Sequence, residues 1–241
     1  MSGSAGKILS NMATLSVIAT PIGNLEDLTF RALRVLKEAS VVLCEDTRVT
    51  RRLLDHYEIK AQTISYHQHT GELKTAKIIA LLREGKDLAL VTDAGTPGIS
   101  DPGARLVSAV RAELGGEVQV VSVPGPSALA AALSIAGDGF DRFLFLGFPP
   151  HKKGRMSMLK EIITSRYPSV LYESKHRIIR LLQELAAAAQ DAGTELEVTV
   201  ARELTKMHES LYYGKPLEII STLQADPGAQ KGEFVVLVRR K

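Results

Sequence analysis

Short apolar segments of strand length alternate with helical patterns through the first 136 residues of this chain. The segments predicted as strands are LSVIAT (15–20), SVVLC (40–44), residues 63–66, DLALVT (87–92) and EVQVVSV (117–123). The predicted helices cover residues 28–37, 47–54, 72–83, 102–113 and 127–135. Almost wholly apolar strands that alternate with helices are typical of a mostly parallel sheet covered on both faces. In such sheets ligands bind at the carboxyl ends of the strands, so the loops there are the candidate site.

The pattern changes after GDG at 137–139, where a strand at 142–148 is followed by a basic helical stretch at 152–164. Next come a predicted strand at 169–174 and a long helix at 178–190. The remaining strands are predicted at 195–204, 210–214 and 232–240, with a short helix at 217–223. Three late strands with one short helix favour a mixed or antiparallel sheet. We therefore predict two α/β domains, 14–136 and 137–241, after a flexible leader at 1–13.

The composition is that of a soluble globular protein, since 45% of the 241 residues are hydrophobic and 24% are charged. Cys44 is the single cysteine, so an internal disulfide and a cysteine-rich zinc site are excluded. The longest strongly apolar stretch, 128–136, is far shorter than the roughly 18 residues that suggest a membrane span. We predict a cytoplasmic protein with no membrane partner.

Positive charge is concentrated in one segment. Residues 142–182 contain nine Lys/Arg and two acids and so carry +7, which leaves −4 for the other 200 residues given the total of +3. A basic segment of this kind favours a polyanionic partner, although a solvated helical face would give the same pattern.

Three Gly/Pro loops follow the apolar strands: TPIGN (20–24), TDAGTPGISDPG (92–103) and VPGPSA (123–128). Each alone is compatible with ordinary turn chemistry, but together at one sheet edge they predict a pocket lined by main-chain amides and carbonyls. The phosphate-binding patterns GxxxxGK[ST] and GxGxxG are absent. Asp93 and Asp101 have no histidine nearby to support a metal site, and no histidine partner for Ser100 or Ser127 can be identified. These observations weigh against nucleotide triphosphate, NAD and serine hydrolase chemistry.

The segment CEDTRVTRR (44–52) adds charged residues at the same edge. Glu45 or Asp46 could accept a proton while Arg48, Arg51 and Arg52 hold phosphates; Asp46 could equally cap the next helix. His67 and His69 favour a polar surface or a substrate contact over a metal. The clusters YES (172–174) and ARELTKMHE (201–209) are as compatible with a structural role as with a catalytic one.

Several of these strings together resemble the ribosomal RNA small subunit methyltransferase I family, a branch of the tetrapyrrole methylase-like (class III) S-adenosylmethionine methyltransferases. They are VIATPIGNLEDLTFRALRVLKEASVVLCEDTR, TDAGTPGISDPG, VPGPSA, FLFLGFPP, ARELTKMHE and GEFVVLV, and the match runs from about residue 15 to residue 239. The resemblance implies two α/β domains with S-adenosylmethionine in the cleft between them. It implies 2′-O-methylation of a cytidine ribose in the decoding region of 16S rRNA, within the small ribosomal subunit, by a homodimer.

The resemblance also assigns residues. The cofactor-binding set that it implies is Pro21, Ile22, Gly23, Asn24, Asp93, Ala94, Gly95, Thr96, Pro97, Ile99, Val123, Pro124, Gly125, Pro126, Ser127, Ala128, Phe148, Tyr172, Leu204 and Gly232. Phe148 and Tyr172 could instead be ordinary core aromatics. The general-base candidates are Glu45, Asp46 and Glu203. The predicted RNA contacts are Arg48, Arg51, Arg52, Lys152, Lys153 and Arg155, and no metal is implied.

Two other functions are compatible with the sequence. One is a methyltransferase of the same architecture acting on a tetrapyrrole or another small molecule, against which the +7 segment argues. The other is a non-catalytic RNA-binding assembly factor, against which the three intact loops argue. A substrate test separates the first from the predicted function, and a cofactor-binding test addresses the second.

Overall fold

A computed structural model describes residues 12–67 and 71–241 of the chain. The predicted leader therefore lies outside the described residues except for its last two positions, and Ala13 already belongs to the first strand. His69 also lies outside them. The contacts within the chain divide it into two units, the first ending at Ser127 and the second beginning at Ala128.

The first unit is built around a five-stranded sheet. Its strands are β1 (Ala13–Ile18), β2 (Val41–Cys44), β3 (Gln62–Ser65), β4 (Leu88–Leu90) and β5 (Val118–Val123), and its helices are α1 (Phe30–Glu38), α2 (Thr47–His56), α3 (Glu72–Arg83) and α4 (Gly103–Leu114). The strand order is β3-β2-β4-β1-β5, and every pairing is parallel, as the apolar segments predicted. Two short 3-10 turns, Leu25–Asp27 and Gly115–Glu117, complete the unit.

Both faces of this sheet are buried, which explains why the strands are apolar without alternation. In β2, Leu43 packs into a cluster that includes residues of α3 and α4, whereas its neighbour Val42 packs into a cluster with residues of α1 and α2. Successive side chains of a strand point to opposite faces, so a strand covered on both sides needs apolar residues at every position.

Two strands at the centre of the sheet end earlier than the sequence predicted. The predicted strand 15–20 ends at Ile18, and the predicted strand 87–92 is reduced to Leu88–Leu90. Thr20 leaves the sheet because it forms an isolated bridge with Gly95 rather than extending the ladder. The ends of these strands are thus part of the loops that follow them.

The second unit contains a mixed sheet, also as predicted. Its strands are β6 (Leu144–Gly147), β7 (Ser169–Ser174), β8 (Leu196–Arg202), β9 (Ser210–Gly214) and β10 (Glu233–Arg240), and its helices are α5 (Ala128–Ile135), α6 (Arg155–Thr164), α7 (Ile178–Asp191) and α8 (Pro216–Ala225). The strand order is β6-β7-β10-β8-β9. Only β6 and β7 pair in parallel, and the other pairings are antiparallel. Residues of α6, α7 and α8 cover one face and form the core of the unit with Leu171, Val198 and Val236.

Helix α5 groups with the second unit and contacts β10. The sequence predicts this helix in the first domain, with a boundary after residue 136, whereas the first unit ends nine residues earlier, at Ser127. Among the described residues, no helix is long and apolar enough to cross a membrane.

Candidate functional site

Hydrogen bonds join the first two Gly/Pro loops at the carboxyl edge of the parallel sheet. The main-chain amide of Thr20 donates to the carbonyl oxygen of Gly95 over 2.9 Å, and the amide of Gly95 donates back to Thr20 over 3.0 Å. The buried hydroxyl of Thr20 donates to the carbonyl oxygen of Thr92 over 3.0 Å. The loops after β1 and β4 are therefore fixed to each other by main-chain bonds.

The third loop is tied to both of the others. The hydroxyl of Thr96 donates to the carbonyl oxygen of Pro126 over 3.1 Å, and the amide of Ala19 donates to Val123 over 3.2 Å. Gly125 packs so closely against the residue after β1 that an added Cβ would lie 3.2 Å from the Cβ of Ala19, tighter than an ordinary contact. The structure thus brings the three predicted loops together at one edge, and a glycine at 125 avoids this tight contact with Ala19.

Asp101 shapes the long loop between β4 and α4. One of its carboxylate oxygens accepts from the amide of Gly98 over 2.5 Å, and the other accepts from the amide of Gly103 over 2.6 Å. Ser100, between them, has a φ of 62°, a conformation uncommon for a residue other than glycine. The loop is therefore held in one conformation by its own aspartate at the start of α4.

Glu45 and Asp46 follow β2 at the same edge, and the structure separates their acidities. Burial raises the pKa of Glu45, and the charges of Asp93, Asp101 and Asp46 raise it further. Hydrogen bonds from the Arg48 side chain and backbone lower the pKa of Asp46 to about 2. A carboxylate with a raised pKa is the better proton acceptor of the two, because catalysis is most efficient when the pKa lies nearer the working pH.

Asp46 has the structural role that its position before a helix predicts. It caps α2 by accepting from the amide of Arg48 over 2.8 Å, and its own amide donates to the carboxylate of Asp93 over 3.0 Å. Its carboxylate also pairs with the Arg48 guanidinium at 2.6 Å. Burial raises the pKa of Asp93, and the charge of Asp46 adds to this, although the amide of Asp46 opposes it.

The three arginines of α2 are exposed, as a phosphate contact requires. The Arg48 side chain is 86% exposed even though it pairs with Asp46, so its remaining donors face solvent. Arg51 and Arg52 lie further along the same helix. His67 is also exposed, just after β3.

Glu203, the third candidate base, lies in the second unit and is engaged on several sides. Its carboxylate accepts from the amide of Glu233 and from the ammonium of Lys206, each over 2.9 Å. Burial raises the pKa of Glu203, but these hydrogen bonds and the positive charge of Lys206 outweigh it, so the net pKa is lowered. Such a carboxylate is a weak proton acceptor.

Two aromatic residues that the resemblance assigned to the cofactor lie together at the end of β6 and on β7. The rings of Phe148 and Tyr172 meet edge to face with centroids 5.5 Å apart, and Phe145 meets Tyr172 in the same way at 5.1 Å. Phe148 is 51% exposed, so it is not an ordinary core aromatic. Leu204 is buried after β8, and Gly232 precedes β10.

Arg155 is buried, so the prediction that it contacts RNA is wrong. Its side chain is 4% exposed and pairs with Glu184 of α7 at 2.6 Å. Its Nη1 donates to the carbonyl oxygen of Pro150 over 3.1 Å. Arg155 therefore anchors the loop between β6 and α6, whereas Lys152 and Lys153 on that loop are exposed.

A second arginine from the basic segment 142–182 supports the same loop. Arg177 pairs with the fully buried Glu173 at 2.8 Å and donates to the carbonyl oxygen of Pro149 over 2.9 Å. The spacing Glu-x-x-x-Arg in YESKHR was the signal that could have indicated the pair. Nothing in the local sequence indicates the bond to Pro149, which lies 28 residues away.

Comparison with known proteins gives one matching family model and many similar sequences. Residues 14–219 match the model described as Tetrapyrrole (Corrin/Porphyrin) Methylases. The chain is 42% identical to ribosomal RNA small subunit methyltransferase I of Thermotoga maritima over 230 residues, which are 95% of this chain and 100% of the relative. It is 41% identical to the protein of the same name from Escherichia coli O157:H7, over 95% of this chain and 78% of the relative.

Solved structures are similar in fold. A cobalt precorrin-4 methyltransferase of cobalamin biosynthesis aligns with a TM-score of 0.67 and 18% identity, over 95% of each chain. The uroporphyrin-III C-methyltransferase of Thermus thermophilus aligns with a TM-score of 0.62 and 21% identity, over 93% of this chain and 94% of the other. At these identities the likeness supports the two-sheet architecture.

Proposed function

Because this chain belongs to the ribosomal RNA small subunit methyltransferase I family, within the tetrapyrrole methylases, we propose that it is an S-adenosylmethionine-dependent rRNA methyltransferase. The proposed product is a 2′-O-methylated cytidine in the decoding region of 16S rRNA, and the proposed substrate form is the small ribosomal subunit. The observation that carries the proposal is the interlocked set of three loops at the carboxyl edge of the first sheet, in a chain similar to its relatives over nearly all its length.

The chemistry of these loops fits S-adenosylmethionine. Residues 20–24, 92–103 and 123–128 contain no lysine or arginine, so they offer main-chain groups and small side chains rather than a phosphate site. Glu45 and Asp93 add negative charge at the same edge, which favours a cationic ligand. Phe148, Tyr172, Leu204 and Gly232 remain proposed cofactor contacts.

When bound, S-adenosylmethionine supplies a methyl group carried on a positively charged sulfur. In the proposed reaction the ribose 2′-oxygen forms the new bond to the methyl carbon, the carbon–sulfur bond breaks, and the hydroxyl proton passes to a carboxylate. We assign that carboxylate to Glu45, since its pKa is raised while those of Asp46 and Glu203 are lowered. The loops orient the reactants, and orientation alone can contribute about 7–11 kcal/mol to lowering the barrier.

The proposed RNA contacts are exposed cations on helix α2 and on the loop that precedes helix α6. Arg48, Arg51 and Arg52 project from α2, and Lys152 and Lys153 lie on the loop before α6. Lysine and arginine at the surface neutralise phosphates and make binding dependent on salt. The proposal also includes a homodimer acting in the cytoplasm, as the resemblance implies, and sedimentation of the purified protein tests the dimer.

The test of the proposed function is transfer of a labelled methyl group from S-adenosylmethionine to small ribosomal subunits from cells that lack this protein. We expect one labelled nucleotide, a 2′-O-methylcytidine in the decoding region, located by mapping of the RNA. Subunits from cells that contain the protein are the control and should accept little label. Tight binding of S-adenosylmethionine with no transfer to RNA would overturn the proposed substrate and favour a small molecule instead.

A further inference from the structure

A buried arginine joins two loops at one end of the second sheet. Arg202, the last residue of β8, is 7% exposed. Its Nη1 donates to the carbonyl oxygen of His208 over 2.8 Å and to the hydroxyl of Ser210 over 3.3 Å. Its Nε donates to the carbonyl oxygen of Lys231 over 2.7 Å, and its Nη2 donates to that of Gly228 over 2.9 Å. One guanidinium thus contacts both the segment that leads into β9 and the segment that leads into β10.

These contacts suit arginine and no other side chain. A guanidinium presents five donors in a fixed planar fork, whereas an ammonium is a single point with three donors. Three of the four acceptors are main-chain carbonyl oxygens, so the contacts fix the backbone of both loops. A buried charge is tolerated only when its donors are satisfied. Arg202 is therefore placed to hold segments 203–210 and 226–232 relative to each other.

The first of these segments is strained where it leaves β8. Glu203 and Thr205 have φ values of 51° and 67°, in the left-handed region that residues with a side chain rarely adopt. Leu204, between them, is buried. Backbone strain of this kind persists only when the surrounding structure imposes it, and it is concentrated at functional sites. The bonds of Arg202 to His208 and Ser210 hold the other end of this segment.

The carboxylate of Glu203 holds the turn from its other side. It accepts from the amide of Glu233 and from Lys206, and Lys206 also pairs with Glu233 at 2.8 Å. Gly232, with a φ of 108°, lies directly against it: an added Cβ would be 2.5 Å from the Glu203 carboxyl carbon. The turn at 203–205 and the residue before β10 are thus locked together at Gly232.

We propose that Arg202 is a positioning residue that fixes Leu204 and Gly232 for contact with the methyl donor. The inference rests on the proposed function, which assigns both residues to S-adenosylmethionine. It also gives Glu203 a supporting role in place of proton transfer, because its carboxylate is already committed to Lys206 and to the Glu233 amide.

The test is Arg202→Lys, which keeps the charge but cannot reach both loops. We expect the Kd for S-adenosylmethionine, measured by calorimetry, to rise by at least about tenfold, since several bonds to a charged group are lost. The single-turnover rate at saturating S-adenosylmethionine should fall much less. Amide hydrogen exchange should become faster in segments 203–210 and 226–232 and stay unchanged in β7.

Arg239→Lys is the matched control. Arg239 lies on the neighbouring strand β10, pairs with Glu197 at 3.0 Å and donates to the carbonyl oxygen of Asp138, away from both loops. This variant should bind S-adenosylmethionine like the wild type.

Lys206→Met is the second test variant, because Lys206 is partly exposed and its loss should leave the fold intact. It should raise the Kd for S-adenosylmethionine, as Arg202→Lys should.

Three outcomes would overturn the inference. Unchanged exchange in Arg202→Lys would mean that Arg202 does not hold the loops. Faster exchange with unchanged S-adenosylmethionine affinity would mean that the loops do not serve the donor. If Arg202→Lys fails to fold, unchanged affinity of Lys206→Met for S-adenosylmethionine would also mean that the loops do not serve the donor. Wild-type protein that binds S-adenosylmethionine but transfers no methyl to RNA would contradict the proposed function alone and leave the inference standing.

Discussion

At the scale of single residues, Glu45 is the position where burial and charge together set the proposed chemistry. Burial, followed by the charges of Asp93, Asp101 and Asp46, raises the pKa of Glu45 above its ordinary value of 4.5. Glu45 must be deprotonated to accept a proton, so methyl transfer should decline as the pH falls through this raised pKa. Its effect on stability has the opposite sense: the folded state holds the proton more tightly, so the free energy of unfolding decreases as the pH rises from about 4.5 to the raised pKa.

Glu45→Gln tests this assignment in single-turnover methylation over a range of pH. We expect the rate near neutral pH to fall by about 10²–10⁴-fold, as for loss of a general base. The fall in rate at acidic pH, which protonation of Glu45 causes in the wild type, should be absent in this variant. Glu84→Gln removes an exposed carboxylate beyond α3 and should behave as wild type. A wild-type rate in Glu45→Gln would remove Glu45 from the mechanism.

At the scale of elements, the loop between β6 and α6 is held by arginines that start the neighbouring helices. Arg155 begins α6 and Arg177 directly precedes α7, and each donates to a proline carbonyl of the loop while pairing with a carboxylate. The loop that presents Lys152 and Lys153 is therefore rigid at its start. Part of the positive charge in segment 142–182 therefore holds this loop in place and is not available to bind RNA. The remaining cations of the loop lie on the surface that these arginines support.

Arg177→Ala should destabilise the protein strongly. It leaves the Glu173 carboxylate, whose side chain is 0% exposed, without its cationic partner, and breaking a buried pair costs about 3–5 kcal/mol. Arg180→Ala on the same helix is the matched control, since Arg180 is 60% exposed and its pair with Glu184 should contribute about 0–1 kcal/mol. Urea unfolding measures both. Equal effects of the two substitutions would contradict the distinction between a buried and an exposed pair.

At the scale of the whole molecule, the charge asymmetry persists after the internal pairs are discounted. Among the nine cations of residues 142–182, Arg155 and Arg177 are committed to buried pairs and Arg180 to an exposed one, while Lys152, Lys153 and Lys160 are exposed. Exposed cations concentrated in one segment attract a polyanion over longer distances than single contacts do.

The double substitution Lys152→Glu and Lys153→Glu should therefore weaken binding to the small subunit. Each phosphate contact that is lost should reduce the slope of log K against log salt by about 0.7–0.9. Lys37→Glu with Lys86→Glu makes the same change in net charge at exposed positions of the first unit and should alter binding little. Unchanged affinity and slope in the first pair would exclude the 152–153 loop from the RNA interface.

The sequence by itself determined the elements and the place of the loops. Strand-length apolar runs and helical periodicity are local signals, and they predicted strands such as Ser169–Ser174 and Ser210–Gly214 to the residue. Once the first sheet is parallel, the loops after β1, β4 and β5 lie at its carboxyl edge, so the sequence pattern placed residues 20–24, 92–103 and 123–128 on one edge. Their contact depends on the strand order β4-β1-β5, which only the fold decides.

Only the tertiary structure decided what the polar side chains do. Arg155 and Arg202 each bond to a group 29 residues away, and no local pattern distinguishes such a buried arginine from a surface one. Glu45 and Asp46 are adjacent in the chain, yet their pKa values move in opposite directions. Asp46 is bonded to Arg48, whereas Glu45 is partly buried among acids that the fold brings from another strand end. Burial and charge depend on neighbours in space, so they emerge only when the strands have assembled.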